Sequence, residues 1–201
     1  MPEITIVIYE NSLSAQNQDY LPSRSILQKE FIQHLINKSF EEDPEALVGI
    51  IPSSQEQYND ILTPTKHKDY LYTFLNKCNL DNNLNYITSL NQTISSFKQR
   101  DITNKKLIFF LGNEFTDDNL YAKLFELLTF GVVVTIVCFG EGLVHYDHFV
   151  KHIDYPNFTV LKVLPGDDSE EIGNMIFENH DEDDPELAEA IRQSIEESKK
   201  N

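Results

Sequence analysis

The feature that most narrows what this chain can fold into is a rhythm. Five short, almost uninterrupted apolar runs (residues 4–8, 47–51, 107–111, 132–139 and 158–164) are each separated by segments of helical periodicity. A strand with one wet face alternates apolar and polar residues, whereas a run that is apolar on consecutive positions needs cover on both faces. Helical patterns at 24–37, 68–77, 90–99, 117–130, 144–153 and 169–177 can supply that cover. The alternation predicts an α/β fold, a mostly parallel sheet with helices on both faces. A weaker run at 60–62, just ahead of Thr63 and Pro64, is a candidate edge strand.

The charge restricts the partners. The chain of 201 residues has a formal net charge of -17. Residues 178–201 hold nine acids and three bases, which leaves 24 acids and 13 bases in the body. Phosphate backbones demand clustered Lys and Arg, so no nucleic-acid partner is expected, and a basic protein surface fits better. The longest apolar run falls well short of the roughly 20 residues that span a bilayer, so no membrane partner is expected either. The start of the chain lacks the pattern of a secretory signal, and Cys78 and Cys138 have no metal-ligand spacing, so an intracellular protein with reduced thiols is predicted.

In such a fold, ligands sit beyond the carboxyl ends of the strands. The first of those loops reads Glu10, Asn11, Ser12, Leu13, Ser14. A carboxylate and two hydroxyls at alternate positions resemble the metal-site loop of von Willebrand factor A domains, Asp-x-Ser-x-Ser, which adds a Thr from a second loop and an Asp after a later strand. Here Glu10 is a methylene longer than Asp. The second loop offers Thr88, Asn91 or Thr93, and the third has Gly112, Asn113 and Glu114 where the Asp should be. A small divalent ion wants near-octahedral oxygens at about 2.0–2.1 Å. The expectation is therefore a degenerate metal-site loop at Glu10, Ser12 and Ser14, with no metal and no cofactor.

The end of the chain carries another resemblance. Asp181, Glu182, Asp183 and Asp184 precede Pro185, and Leu187, Ala190, Ile191, Ser194 and Ile195 then recur at the spacing of one helical face. Asp184 suits a helix cap, Pro185 the first turn, and Arg192, Glu196 and Lys200 lie four apart on the polar side. The small residues let a partner approach closely. Acids followed by Leu187, Ala190, Ser194 and Glu197 resemble the ubiquitin-interacting motif, with Pro185 interrupting the acidic run. The resemblance implies Ala190 as the central small residue, Leu187, Ile191 and Ile195 around it, Ser194 as a hydrogen-bonding hydroxyl, and Asp183 and Asp184 facing ubiquitin's basic rim.

Elsewhere, Asp19, Tyr20, Leu21, Pro22, Ser23 and Arg24 precede the first helix. Val48, Gly49 and Ile50 fall in the second strand, Leu62, Thr63 and Pro64 follow it, and Phe139, Gly140 and Glu141 end a later one. In this order, and with the terminal helix, they resemble the multiubiquitin-binding subunits of the proteasome regulatory particle. That family implies an A-type domain at 1–177, an acidic linker at 178–184 and a ubiquitin-interacting helix at 185–200. It also implies a cytoplasmic and nuclear ubiquitin receptor that binds ubiquitin and polyubiquitin chains and contacts proteasome lid and base subunits. Two other readings fit: a metal-dependent A-domain binding module, or an A-domain scaffold subunit of another intracellular complex.

No constellation supports catalysis. There is no nucleophile elbow, P-loop or dinucleotide fingerprint, and Gly140 and Gly142 read as a short turn. His145, His148 and His152 share one face of a predicted helix at ligand-like spacing for zinc, but no Cys or further paired ligand accompanies them. Asp167, Asp168, Glu170 and Glu171 sit at a predicted helix start, where the dipole stabilises acids. A non-catalytic protein is expected.

Overall fold

The computed structural model describes residues 2–54 and 61–181. Six strands, β1 (Glu3–Tyr9), β2 (Leu47–Pro52), β3 (Leu62–Thr65), β4 (Asn104–Leu111), β5 (Val133–Cys138) and β6 (Phe158–Lys162), form one sheet in the order β3-β2-β1-β4-β5-β6. All neighbouring pairs are parallel except β2 with β3. The helices are α1 (Arg24–Glu42), α2 (Lys68–Lys77), α3 (Tyr86–Lys98), α4 (Asn119–Thr129), α5 (Tyr146–His152) and α6 (Ser169–Asp181).

The unbroken apolar strands follow from two cores. On one face Ile4, Ile6 and Ile8 of β1 and Leu107, Phe109 and Leu111 of β4 pack under α3, α4 and α5, with Leu90, Leu124 and Phe149. On the other, Val7 and Tyr9 of β1 and Ile108 and Phe110 of β4 pack under α1, α2 and α6, with Phe31, Leu71 and Ile172. Alternate side chains of one strand thus enter different cores, and both must be apolar.

The edge strand is displaced from the expected run. It lies at Leu62–Thr65, antiparallel to β2 with a register shift between Val48 and Ile50, and it contains Pro64. Pro lacks the donor a central strand needs, and at an edge that loss is tolerated. The helix expected from residue 90 begins at Tyr86, because the Asn85 side chain accepts from the Thr88 N–H at 2.9 Å. The helix expected at 144–153 divides into a 3₁₀ turn, Gly140–His145, and α5. The last helix continues past residue 177 to Asp181, into the stretch read as linker. Asp183, Asp184, Leu187, Ala190, Ile191, Ser194, Ile195 and Glu197 lie outside the described residues.

Candidate functional site

The loops beyond the carboxyl ends of β1 and β4 meet at Glu10. Burial of β1 carries Glu10 to zero exposure, and Gln28 of α1 pins its backbone from the side. The Glu10 N–H donates to Gln28 Oε1 at 3.0 Å, and Gln28 Nε2 donates to the Glu10 carbonyl at 3.2 Å. The side-chain Oε1 accepts from the Ser12 N–H at 3.0 Å and from Asn113 Nδ2 at 2.9 Å. Oε2 is buried with no hydrogen-bond partner. Desolvation pushes the Glu10 carboxyl above the usual range, against the hydrogen bonds from Ser12 and Asn113 and the charge of Arg24, which pull it down.

The hydroxyls close the network. Ser12 Oγ and Ser14 Oγ are 2.8 Å apart, Asn113 Nδ2 also donates to Ser12 Oγ at 2.8 Å, and Ser14 Oγ donates to Asn113 Oδ1 at 3.0 Å. A divalent ion would have to collect the lone pairs of Glu10, Ser12 and Ser14 at one point. An amide nitrogen converges on two of them instead, and turning that amide over would set Oδ1 against the Glu10 carboxylate. One remaining carboxylate oxygen is far short of the six oxygens such an ion takes. The residues do not fit a metal; the Asn113 amide bridges the loops in its place.

Of the three second-loop candidates, none joins this network. Thr93 is buried in α3 and bonds the Ser89 carbonyl at 2.9 Å, while Thr88 and Asn91 line a separate groove beside Thr63. Tyr86 reaches the site instead, its hydroxyl accepting from the Asn113 N–H at 3.2 Å. Burial and the nearby Glu10 hold its phenol well above the ordinary range. Asn11 joins a different set of loops: its Nδ2 donates to the Ser54 and Asn79 carbonyls, each at 2.9 Å, and its Oδ1 accepts from the Ser54 N–H at 2.8 Å.

Beside this network Arg24, 3% exposed, ties three loops together. Its Nε donates to Asp19 Oδ1 at 2.8 Å, its Nη2 to Asp19 Oδ2 at 2.5 Å and to Glu141 Oε1 at 3.2 Å, and its Nη1 to Glu141 Oε2 and, at 3.4 Å, to the Gly112 carbonyl. These bonds hold both carboxyls below the usual range and the guanidinium above its own, despite desolvation. Gly140, at φ +54°, leaves room for the guanidinium, which would lie 2.3 Å from a Cβ there. Tyr20 fastens the same corner, its hydroxyl donating to the Val163 carbonyl at 2.9 Å and accepting from the Gly140 N–H at 3.0 Å.

The three histidines do not converge. His145 Nε2 accepts from the Phe115 N–H at 3.1 Å and its ring stacks on Phe115, with centroids 4.0 Å apart. His148 and His152 stack on each other at 4.0 Å. No group of three His, Cys, Asp or Glu side chains able to hold a metal occurs among the described residues. His67 and Cys78 cap opposite ends of α2. Asp168 Oδ1 accepts from the N–H groups of Glu170 and Glu171, each at 2.9 Å, which is helix capping. No helix is long and apolar enough to cross a membrane among the described residues.

Comparison with known proteins bears on this architecture. The 26S proteasome non-ATPase regulatory subunit 4 of Dictyostelium discoideum is 26% identical over 172 residues, 82% of this chain and 49% of that protein. The 26S proteasome regulatory subunit rpn10 of Schizosaccharomyces pombe is 21% identical over 143 residues, 69% of this chain and 59% of that protein. The chain thus spans about half the length of the curated relatives it matches. The crystal structure of the SpRpn10 VWA domain superposes with a TM-score of 0.73 at 18% identity, covering 87% of this chain and 95% of that one. The family model for the von Willebrand factor type A domain matches residues 5–114, a span that holds Glu10, Ser12, Ser14, Tyr86 and Asn113, and the chain belongs to that family.

Proposed function

We propose that this chain is a non-catalytic ubiquitin receptor of the proteasome regulatory particle, cytoplasmic and nuclear, which docks by its A-type domain and captures ubiquitin with the helix at 185–200. The observation that carries the reading is similarity to two proteasome regulatory subunits along most of the chain. The geometry at Asn113 favours it over a metal-dependent binding module, because the loop oxygens are already engaged by an amide. A surface for docking is at hand: exposed Leu13, Leu21, Val144 and Leu164 lie on the loops beyond β1, β5 and β6, among Asp19, Glu141 and Asp167. Aliphatics rimmed by acids suit a protein surface with basic residues, here lid and base subunits.

In the tail, Ala190 would sit against ubiquitin with Leu187, Ile191 and Ile195 around it, Ser194 and Glu197 bonding beside it, and Asp183 and Asp184 at the basic rim. A single helix buries little area, so the dissociation constant for one ubiquitin should exceed about 1 µM. Chains bind better through raised local concentration. The test is affinity purification of the tagged full chain from its own cells. The expected result is co-purification of lid and base subunits with both parent and Ala190→Arg, and of ubiquitin conjugates with the parent alone. Absence of proteasome subunits from the parent would overturn the docking assignment.

A further inference from the structure

Acids dominate this chain, yet its bases are unevenly placed. Lys98, Arg100, Lys105, Lys106 and Lys123 fall at the end of α3, the start of β4 and on α4, toward the amino-terminal edge of the sheet. Three local acids, Glu3, Asp101 and Glu126, offset these five bases only in part. Lys98 and Lys123 share one carboxylate, Glu126, at 2.9 and 3.2 Å, and Lys106 pairs with Glu3 at 2.9 Å. Arg100 donates to the Pro64 carbonyl at 3.2 Å, and Lys105 has no carboxylate partner among the described residues. Phe130 is 61% exposed at the same edge, with Lys98 Nζ 5.0 Å from its ring centroid.

The chain itself arrives at this edge with the complementary charge. Helix α6 leaves the carboxyl end of β6 and packs along α1, which returns from the carboxyl end of β1 to the amino end of β2. It therefore runs toward the amino-terminal edge and is described as far as Asp181. The sequence continues Glu182, Asp183, Asp184, Pro185, Glu186, Leu187, Ala188, Glu189, five acids and no base. Eight extended residues reach about 26 Å, more than enough to cross the end of a sheet with its helix layers.

We propose that the acidic segment 182–189 docks on this basic edge, an intramolecular contact that holds the tail against its own domain. Its acids meet Lys98, Lys105 and Lys106, and Leu187 supplies an aliphatic for Phe130. The contact does not rest on what the tail binds. If the tail captures ubiquitin as proposed above, ubiquitin competes for Asp183 and Asp184 and releases it.

The test is zero-length carbodiimide coupling of the dilute full chain without ubiquitin, with linked peptides read by mass spectrometry. Links from 182–189 to Lys98, Lys105 and Lys106 should dominate over links to the exposed Lys66, Lys77 and Lys151. At about 0.5 M salt, where screening reaches only a few ångströms, those links should fall about fivefold. The same fall is expected in the combined Lys98→Glu and Lys105→Glu variant, and the salt series keeps the test open if that variant folds poorly. Even spreading over all lysines, indifference to salt, or links that form between chains and grow with concentration would each overturn the proposal. Because ubiquitin is absent, failure here leaves the capture reading standing, and loss of capture leaves this contact standing.

Discussion

Replacing Arg24 with Met tests how the strand-end loops are held. Met keeps an unbranched stem in the buried slot but removes every donor to Asp19, Glu141 and the Gly112 carbonyl. Removing one member of a buried ion pair typically costs about 3–5 kcal/mol. Here the surviving side chains, Asp19 at 38% and Glu141 at 47% exposure, can rehydrate. Solvent screening therefore lowers the expected loss to about 2–3 kcal/mol. For a domain of this size that is a fall in Tm of about 4–12 °C. Arg24→Lys, which keeps the charge but cannot span both carboxylates, should lose about 1 kcal/mol.

The pH dependence gives an independent measure of the same change. Asp19 and Glu141 have depressed folded pKa values, so their stabilisation is present above the unfolded values near 3.8 and 4.5 and is lost as pH falls through the folded ones. In Arg24→Met that acid limb should flatten. Glu10 acts in the opposite direction, since its raised pKa makes the fold favour the protonated form as pH falls. Urea denaturation between about pH 3 and 7 measures both. A variant within about 0.5 kcal/mol of the parent, with an unchanged acid limb, would refute the reasoning.

Three further outcomes follow from the same geometry. Gly142→Ala should destabilise by about 3 kcal/mol or more, because the new Cβ would lie 2.1 Å from the Leu111 carbonyl oxygen, a backbone atom that cannot step aside; denaturant unfolding checks it. Asn113→Asp exchanges the bridging donor for a carboxylate beside Glu10, so the variant should lose stability and regain part of it with millimolar magnesium, while the parent's Tm stays indifferent to the ion. His145 accepts the Phe115 N–H and its pKa is lowered, first by desolvation, so its contribution is present above about pH 6.5 and lost as pH falls through the folded value. His145→Phe should flatten stability in that window, which thermal unfolding at pH 5 and 7 would show.

The sheet is legible in the sequence because β1, β4 and β5 are covered on both faces, so their apolar runs are continuous and mark themselves. Strand β3 is only hinted at, since an edge tolerates Thr63 and Pro64 and leaves little apolar signal. At the site, the resemblance of the first loop picks out Glu10, Ser12 and Ser14, and Asn113 is one of three residues, with Gly112 and Glu114, at the place where that family has an acid. What that amide does is not readable from spacing, because it meets Glu10 across 103 residues of sequence. Gln28 and Tyr86 escape sequence reasoning altogether. A Gln at helical spacing among Leu27, Phe31, Ile32 and Leu35 is the available signal for Gln28, whereas Tyr86 has the pattern of an ordinary core aromatic. Arg24, Asp19 and Glu141 enter only through a family resemblance, and nothing in their spacing brings them together.

The most direct test of the account is a titration of isotope-labelled ubiquitin with the full chain, followed by NMR, alongside the Ala190→Arg variant. Capture by the helix at 185–200 should give saturable shifts confined to ubiquitin's apolar patch and basic rim, with a dissociation constant above about 1 µM, and their loss in the variant. A parent that leaves the ubiquitin spectrum unchanged, or a variant that binds as well as the parent, would contradict it.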